Sequence, residues 1–272
     1  MKKFKLKKKS HLVILMFILC FIGIFFSTFN IIMWILDNHQ TENETKQINQ
    51  LIKVYEKEDT PNTVKINNAI KKDDLYWKYI NYKLINVDFN ELEKENSDTV
   101  GWIELLGTNI NYPFVQTTDN EYYLSKSFYK NNNNAGWVFL DYRNNINELD
   151  KNTIIYAHGR VNGTMFGSLK NILTSNWLKN DNNFVVKLST KSQNTLWQVF
   201  SVYKIPTTND YIQVHFSSND EFLNLANTLI QRSQYNFNTN ITKDDKILTL
   251  STCYNEDEKV VLHAKLIKYE KK

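Results

Sequence analysis

Ile247-Leu248-Thr249-Leu250-Ser251-Thr252-Cys253 is an apolar, partly β-branched run that stops at a cysteine. A second run of similar make, Thr153-Ile154-Ile155-Tyr156-Ala157-His158-Gly159, stops at a histidine, with a glycine behind it to release the turn. Such runs, bounded by turn residues, read as strands. If the two strands end at one rim of a sheet, they bring a thiol and an imidazole together on a rigid support.

Working outward, further strand-like runs occupy residues 99–103, 110–115, 136–140, 184–188, 196–203 and 260–267, with Gly107-Thr108-Asn109 as a turn between the first two. Together with the two opening runs this predicts a mainly β fold of about eight strands, closed into a barrel so that no edge is left open. Residues 221–232 place Phe222, Leu225, Leu229 and Ile230 on one face and predict a peripheral helix. Upstream, Ile48, Leu51, Ile52 and Tyr55 recur at helical spacing, and residues 75–85 predict a second helix. These helices either pack on the barrel or form a stalk. No internal repeat is present.

Residues 12–36 are almost wholly apolar, interrupted only by Gly23, Ser27, Thr28 and Asn30. At about 1.5 Å per residue they reach roughly 37 Å, enough to cross a hydrocarbon layer of about 30 Å as a tilted helix. The run is long for a signal peptide and lacks a clear small-residue cleavage site, so an uncleaved anchor is expected. Lys2, Lys3, Lys5, Lys7, Lys8 and Lys9 precede it, and Asp37, Glu42 and Glu44 follow it. The positive-inside rule then predicts a single-pass protein of the cell membrane, with a cytoplasmic N-terminus and an extracellular domain. The expected organisation is a basic tail at 1–11, an anchor at 12–36, a helical linker at 37–87 and a catalytic barrel at 88–272. Taking those six lysines away from the formal net charge of +4 leaves −2, so the charge gives no nucleic-acid footprint.

The chain has two cysteines, Cys20 and Cys253. Cys20 falls in the apolar span, which leaves Cys253 as a lone thiol in a compartment where structural cysteines usually pair. A buried inert thiol is one reading; a nucleophile is the other. A free thiol is only a few per cent thiolate at neutral pH. A nearby imidazolium stabilises the thiolate, and the same imidazole can protonate a leaving amine. His158 is the candidate for that role. His263 lies within the run 260–264 and reads as an outward-facing strand residue, whereas His215, His11 and His39 have no motif around them. No spacing suggests a metal site, and there is no phosphate-binding glycine loop, so no cofactor is expected.

The run at 249–253 resembles the active-site signature of sortases, the transpeptidases of Gram-positive surfaces. The wider pattern is similar to class B sortases. It comprises Gly101-Trp102-Ile103, Tyr112-Pro113, Gln116, Asp119-Asn120, Tyr123-Leu124, Gly136, Asp141-Tyr142-Arg143, Tyr156-Ala157-His158-Gly159, Met165-Phe166-Gly167 and Asp210-Tyr211-Ile212, across residues 88–268. The histidine-before-cysteine order also separates the chain from papain-like peptidases. The resemblance implies a sortase-type β-barrel with N-terminal and peripheral helices, and a thiol peptidase-transpeptidase that uses no cofactor. It implies cleavage of an Asn-Pro-x-Thr-x-like sorting signal after Thr, through a Cys253 thioester. The acyl group would pass to an amine on peptidoglycan or its precursor, so the implied partners are surface proteins bearing a C-terminal sorting signal. It also implies that Asn120, Leu124, Thr207, Tyr211, Ile212 and Ser251 line the sorting-signal groove. One departure stands out. The family carries an arginine at the start of the last strand, but no arginine follows Arg232 here, and Lys259 takes that place. Lysine keeps the charge without the planar fork of arginine. Lys259 is therefore expected to be the oxyanion partner, with Arg143 and Arg160 as rivals and a catalytically weak or inactive peptide-binding module as the alternative function.

Overall fold

The computed structural model describes residues 3–66, 74–254 and 257–272; the side chains of residues 3–10 and of Cys253 lie outside that description. In chain order the elements are helix α1 (Lys3–Leu51), strands β1 (Tyr55–Lys57) and β2 (Val64–Lys65), helix α2 (Tyr76–Tyr79), strand β3 (Leu84–Asn86) and helix α3 (Asn90–Glu95). Strands β4 (Thr99–Leu105), β5 (Asn111–Val115), β6 (Phe139–Leu140) and β7 (Asn152–Tyr156) follow. Then come helix α4 (Ser175–Leu178), strands β8 (Val185–Thr190) and β9 (Gln193–Pro206), helix α5 (Asn219–Arg232), and strands β10 (Ile247–Cys253) and β11 (Glu258–Lys271).

Eight strands form a closed ring in the order β10-β7-β6-β5-β4-β8-β9-β11, and β11 pairs back onto β10. Closure leaves no open edge in the ring, which removes the hazard of unpaired strand groups. Two of the ring pairings are parallel, β5 with β6 and β7 with β10. The long strands β9 and β11 slip register between His263 and Ala264 and again between Leu266 and Lys268. Such bulges bend a strand and let it curl around a barrel. The interior is filled by Ile103, Phe114, Leu188, Trp197, Leu248, Leu250 and Leu262, all buried.

A second apolar cluster lies on the outside of the β9–β11 face, under α5. Phe222, Ala226 and Leu229 of that helix pack on Phe200, Tyr203 and Val261. Ser218 caps the helix by accepting from the Glu221 N–H at 3.2 Å, and the Glu221 carboxylate reaches back to the Ser217 N–H at 2.6 Å. This double arrangement satisfies donors at the helix start that would otherwise lack partners.

The chain divides into two compact units, Met1–Gln40 and Thr41–Lys272. The helix His11–Leu51 contains a window of mean hydropathy 2.8, long and apolar enough to cross a membrane. In the second unit, Thr41, Glu44 and Ile48 are buried, and Thr41 Oγ1 accepts a 3.2 Å hydrogen bond from Asn133 Nδ2. The end of α1 therefore packs on the barrel rather than forming a stalk.

Three expectations need correction. The helical spacing at 48–55 holds only to Leu51, because Tyr55 begins β1. Residues 75–85 form a single turn, α2, and then strand β3, which pairs with β1 from Leu84 opposite Lys57 to Asn86 opposite Tyr55. A ladder partner distant in the chain outweighs weak local helix preference. Gly136 adopts φ +61° where it closes a turn onto Asn133, residues 136–138 are irregular, and the strand expected at 136–140 is reduced to β6.

Candidate active site

The site arises from the parallel pairing of β7 and β10. Ile247 lies opposite Asn152 and Ser251 opposite Tyr156. Thr252 Oγ1 extends the match by donating to the Ala157 carbonyl at 2.8 Å. Parallel neighbours end at the same rim, so His158 and Cys253, each two residues past the last paired position, emerge side by side. Strand β11 then returns antiparallel to β10 and sets Lys259 in register with Cys253, with Ile205 of β9 on its other side. Three positions far apart in sequence thus meet at one rim.

His158 is held by its surroundings. Its Nε2 donates to the Leu124 carbonyl at 2.8 Å. A carbonyl only accepts, so Nε2 keeps its hydrogen in either charge state and Nδ1 is the nitrogen that exchanges a proton. Gly136 supports this contact. A Cβ there would lie 2.5 Å from the Tyr123 carbonyl oxygen and 3.0 Å from both His158 Cδ2 and the Leu124 oxygen. Only glycine combines that close approach with a left-handed φ.

Beside this rim opens a cavity of ≈ 360 Å³. Asn120, Leu124, Thr207, Tyr211, Ile212 and Ser251 all line it, together with His158 and Lys259. Phe139, Tyr156, Ala157, Thr208, Asn209 and Thr252 complete the lining. Of these, Tyr156, Ala157 and Thr252 flank the two strand ends and were legible from their position. Phe139, Thr208 and Asn209 carried no separate signal in the sequence. Among the described lining residues, Lys259 is the one permanent cation. The rival Arg143 is engaged elsewhere: its Nε and Nη2 donate to Asp141 at 2.8 and 2.7 Å, and Nη2 also donates to the Ile212 carbonyl at 3.0 Å. Neither Arg143 nor Arg160 lines the cavity.

One cavity wall, the loop that carries Thr207 to Ile212, is tied down from behind. The Thr207 N–H donates to the Asp257 carbonyl at 2.8 Å, and Asp210 accepts both terminal nitrogens of Arg232 at 3.0 and 2.6 Å. Tyr211 Oη and Ser251 Oγ share a 2.9 Å hydrogen bond. A buried polar chain ends on the same loop. Asn152 Nδ2 donates to the Tyr211 and Gln213 carbonyls at 3.2 and 2.9 Å, so its Oδ1 accepts, and it accepts from Thr249 Oγ1 at 2.7 Å. Having given its only hydrogen to Asn152, Thr249 must accept from His263 Nδ1 at 2.9 Å, and His263 Nε2 then accepts from Tyr203 Oη at 2.8 Å.

His263 does face out of the barrel, as expected for its strand position, but it is fully buried beneath α5 instead of solvated. Burial, with the Arg232 charge as a lesser cause, pushes its imidazole down to about 3. The unfolded chain takes up this proton below about pH 6.5. Between those values the unfolded state binds more protons, so stability rises with pH, and is lost as pH falls, by up to about 1.4 kcal/mol per unit from this group alone. A His263→Gln chain is expected to be less stable at pH 7, with the deficit narrowing as pH falls from 6 to 4. Denaturant titrations across that range check this; a deficit independent of pH would contradict a buried neutral imidazole.

Among the described residues, no three or more His, Cys, Asp or Glu side chains converge as a metal site. The rim instead presents an imidazole with a fixed exchangeable nitrogen, a lysine opposite a cysteine position, and a groove with amide and hydroxyl groups. That set suits nucleophilic acyl transfer on an extended peptide.

The chain is similar to known proteins over most of its second unit. The family model described as Sortase domain matches residues 103–267. The chain is 36% identical to Sortase B of Staphylococcus aureus over 188 residues, covering 68% of this chain and 76% of that protein. The solved Staphylococcus aureus sortase B-substrate complex superposes with a TM-score of 0.62 at 36% identity, covering 66% of this chain and 84% of that one. A Bacillus anthracis crystal structure described as similar to sortase B gives 0.66 at 32% identity, over 86% of this chain and 97% of that one.

Proposed function

The chain belongs to the sortase family, and on that premise we propose that it is a membrane-anchored cysteine transpeptidase that cleaves an Asn-Pro-x-Thr-x-like sorting signal after Thr and transfers the acyl product to a cell-wall amine. The observation that carries the proposal is the parallel β7–β10 pairing, which brings His158 and Cys253 to one rim beside the cavity and opposite Lys259. That a relative was solved as a sortase B-substrate complex supports a substrate-binding role for this domain.

In this reading the Cys253 thiolate attacks the Thr carbonyl carbon. Lys259 stabilises the negative oxygen of the tetrahedral intermediate. The C–N bond breaks, and the amine leaves with a proton from the His158 imidazolium. The resulting thioester is attacked by the acceptor amine, whose proton goes to His158. The C–S bond then breaks and returns the thiolate. The apolar helix at 12–36 holds the enzyme at the membrane, and the lysines before it keep the N-terminus in the cytoplasm. The barrel faces the cell wall, where peptidoglycan or its precursor supplies the amine.

The test is to incubate the full-length chain in detergent with an Asn-Pro-x-Thr-containing peptide and examine it by mass spectrometry. An acyl adduct on Cys253, released by an added peptide amine, is the expected result. Peptide binding without adduct or cleavage across several peptides would favour a sortase-like binding module.

A further inference from the structure

Two residues behind the cavity touch both of its walls without lining it. Asp141 follows β6 and is fully buried. Its Oδ2 accepts from Asn120 Nδ2 at 3.1 Å on one wall, from Tyr156 Oη at 3.0 Å at the end of β7, and from Arg143 Nη2 at 2.7 Å. Its Oδ1 accepts from the Arg143 N–H at 3.0 Å and from Arg143 Nε at 2.8 Å. The same Arg143 Nη2 donates to the Ile212 carbonyl on the opposite wall at 3.0 Å. The aspartate itself is fixed, because its N–H donates to the Ile154 carbonyl at 2.9 Å and its carbonyl accepts from Gln116 Nε2 at 2.9 Å.

We propose that the Asp141–Arg143 pair is a clamp that sets the spacing of the two groove walls and the orientation of the Asn120 amide, which makes both residues positioning residues for the bound peptide. The identity of that peptide rests on the transpeptidase reading; the clamp itself rests on the geometry. Three physical points support it. A buried carboxylate with five donors in reach is strongly anchored, since charge-assisted hydrogen bonds are about twice as strong as neutral ones. Burial alone would raise the Asp141 carboxyl, yet the Arg143 side chain and the other donors hold it below the usual carboxylate range. The carboxylate also decides which way the Asn120 amide points. Nδ2 must face Asp141, and Oδ1 accepts from the Tyr142 N–H at 3.0 Å. One N–H and one lone pair of Asn120 are then left to present to a peptide backbone in a fixed sense. Arginine is required because its fork holds the carboxylate with two nitrogens while one of them also reaches the carbonyl across the groove; a lysine ammonium cannot reproduce that planar geometry.

The experiment measures hydrogen exchange by mass spectrometry and steady-state kinetics on the full-length chain in detergent, unaltered and as Arg143→Lys and Asp141→Asn. In Arg143→Lys, exchange across residues 207–213 is expected to quicken about tenfold, the equivalent of losing one buried hydrogen bond. In Asp141→Asn it quickens on both walls, residues 116–121 included. Strands β7 and β10 keep their protection. KM for the Asn-Pro-x-Thr peptide rises about tenfold while kcat stays within about twofold, as loss of binding equal in ground and transition states requires. Unchanged exchange on the walls, or exchange that rises throughout the barrel, overturns the clamp. If Asp141→Asn does not fold, Arg143→Lys decides alone. If the walls loosen as expected but the unaltered chain turns over no peptide, the clamp stands and the transpeptidase reading falls.

Discussion

A Cys253→Ala chain is expected to form no acyl adduct and to leave the sorting-signal peptide uncleaved, and His158→Ala is expected to slow cleavage by about 10²–10⁴-fold. The asymmetry follows from the roles in the proposed mechanism. There the thiolate would form the covalent bond, and the second cysteine, Cys20, lies in the apolar span. The imidazole would move protons, a role that water or buffer fills poorly. His158→Ala also removes the donor to the Leu124 carbonyl, so a small local rearrangement of that loop accompanies the chemical loss. Peptide cleavage followed by chromatography, with intact-mass detection of the adduct, measures both variants. Retained cleavage by Cys253→Ala would sink the mechanism.

Lys259→Ala is expected to lower kcat by about 10²–10³-fold, the usual effect of removing one oxyanion donor, with KM little changed. Lys259→Arg is expected to retain activity or raise it, because the guanidinium keeps the charge and adds a second aligned donor. The expectation rests on register. Lys259 is paired with Cys253 across the β10–β11 ladder and lines the cavity, whereas the Arg143 guanidinium is held by Asp141 and the Ile212 carbonyl. If neither substitution changes the rate, Lys259 has no such role. Kinetics of the three chains side by side, with the adduct yield as a second readout, distinguish these cases.

Much of this was legible in the chain. Long apolar and β-branched runs with turn signals between them specify strands by local pattern, and seven of the eight barrel strands were located nearly as they stand. The exceptions share a cause. β6 is only two residues long because the chain leaves the turn closed by Gly136 irregularly, and β1 and β3 exist only as each other's ladder partners. Short strands carry too little periodicity to be read alone. His263 shows a related limit. Strand alternation placed it on the outer face, but only the packing of α5 decided that this face is dry.

The sequence by itself determined the apolar span, the lone thiol outside it, and two strands that lead into a histidine and a cysteine. It also determined that a lysine stands near the start of the last strand. Local pattern and composition are enough for each of these. Only the tertiary structure decided that β7 and β10 are neighbours and run parallel. Antiparallel neighbours would send His158 and Cys253 to opposite rims; parallel ones send both to the same rim, and β11 then sets Lys259 against Cys253. The contacts of the Asp141–Arg143 pair with Asn120 and Ile212 were equally beyond local reading, because they join segments about 20 and 70 residues apart that meet only when the barrel closes.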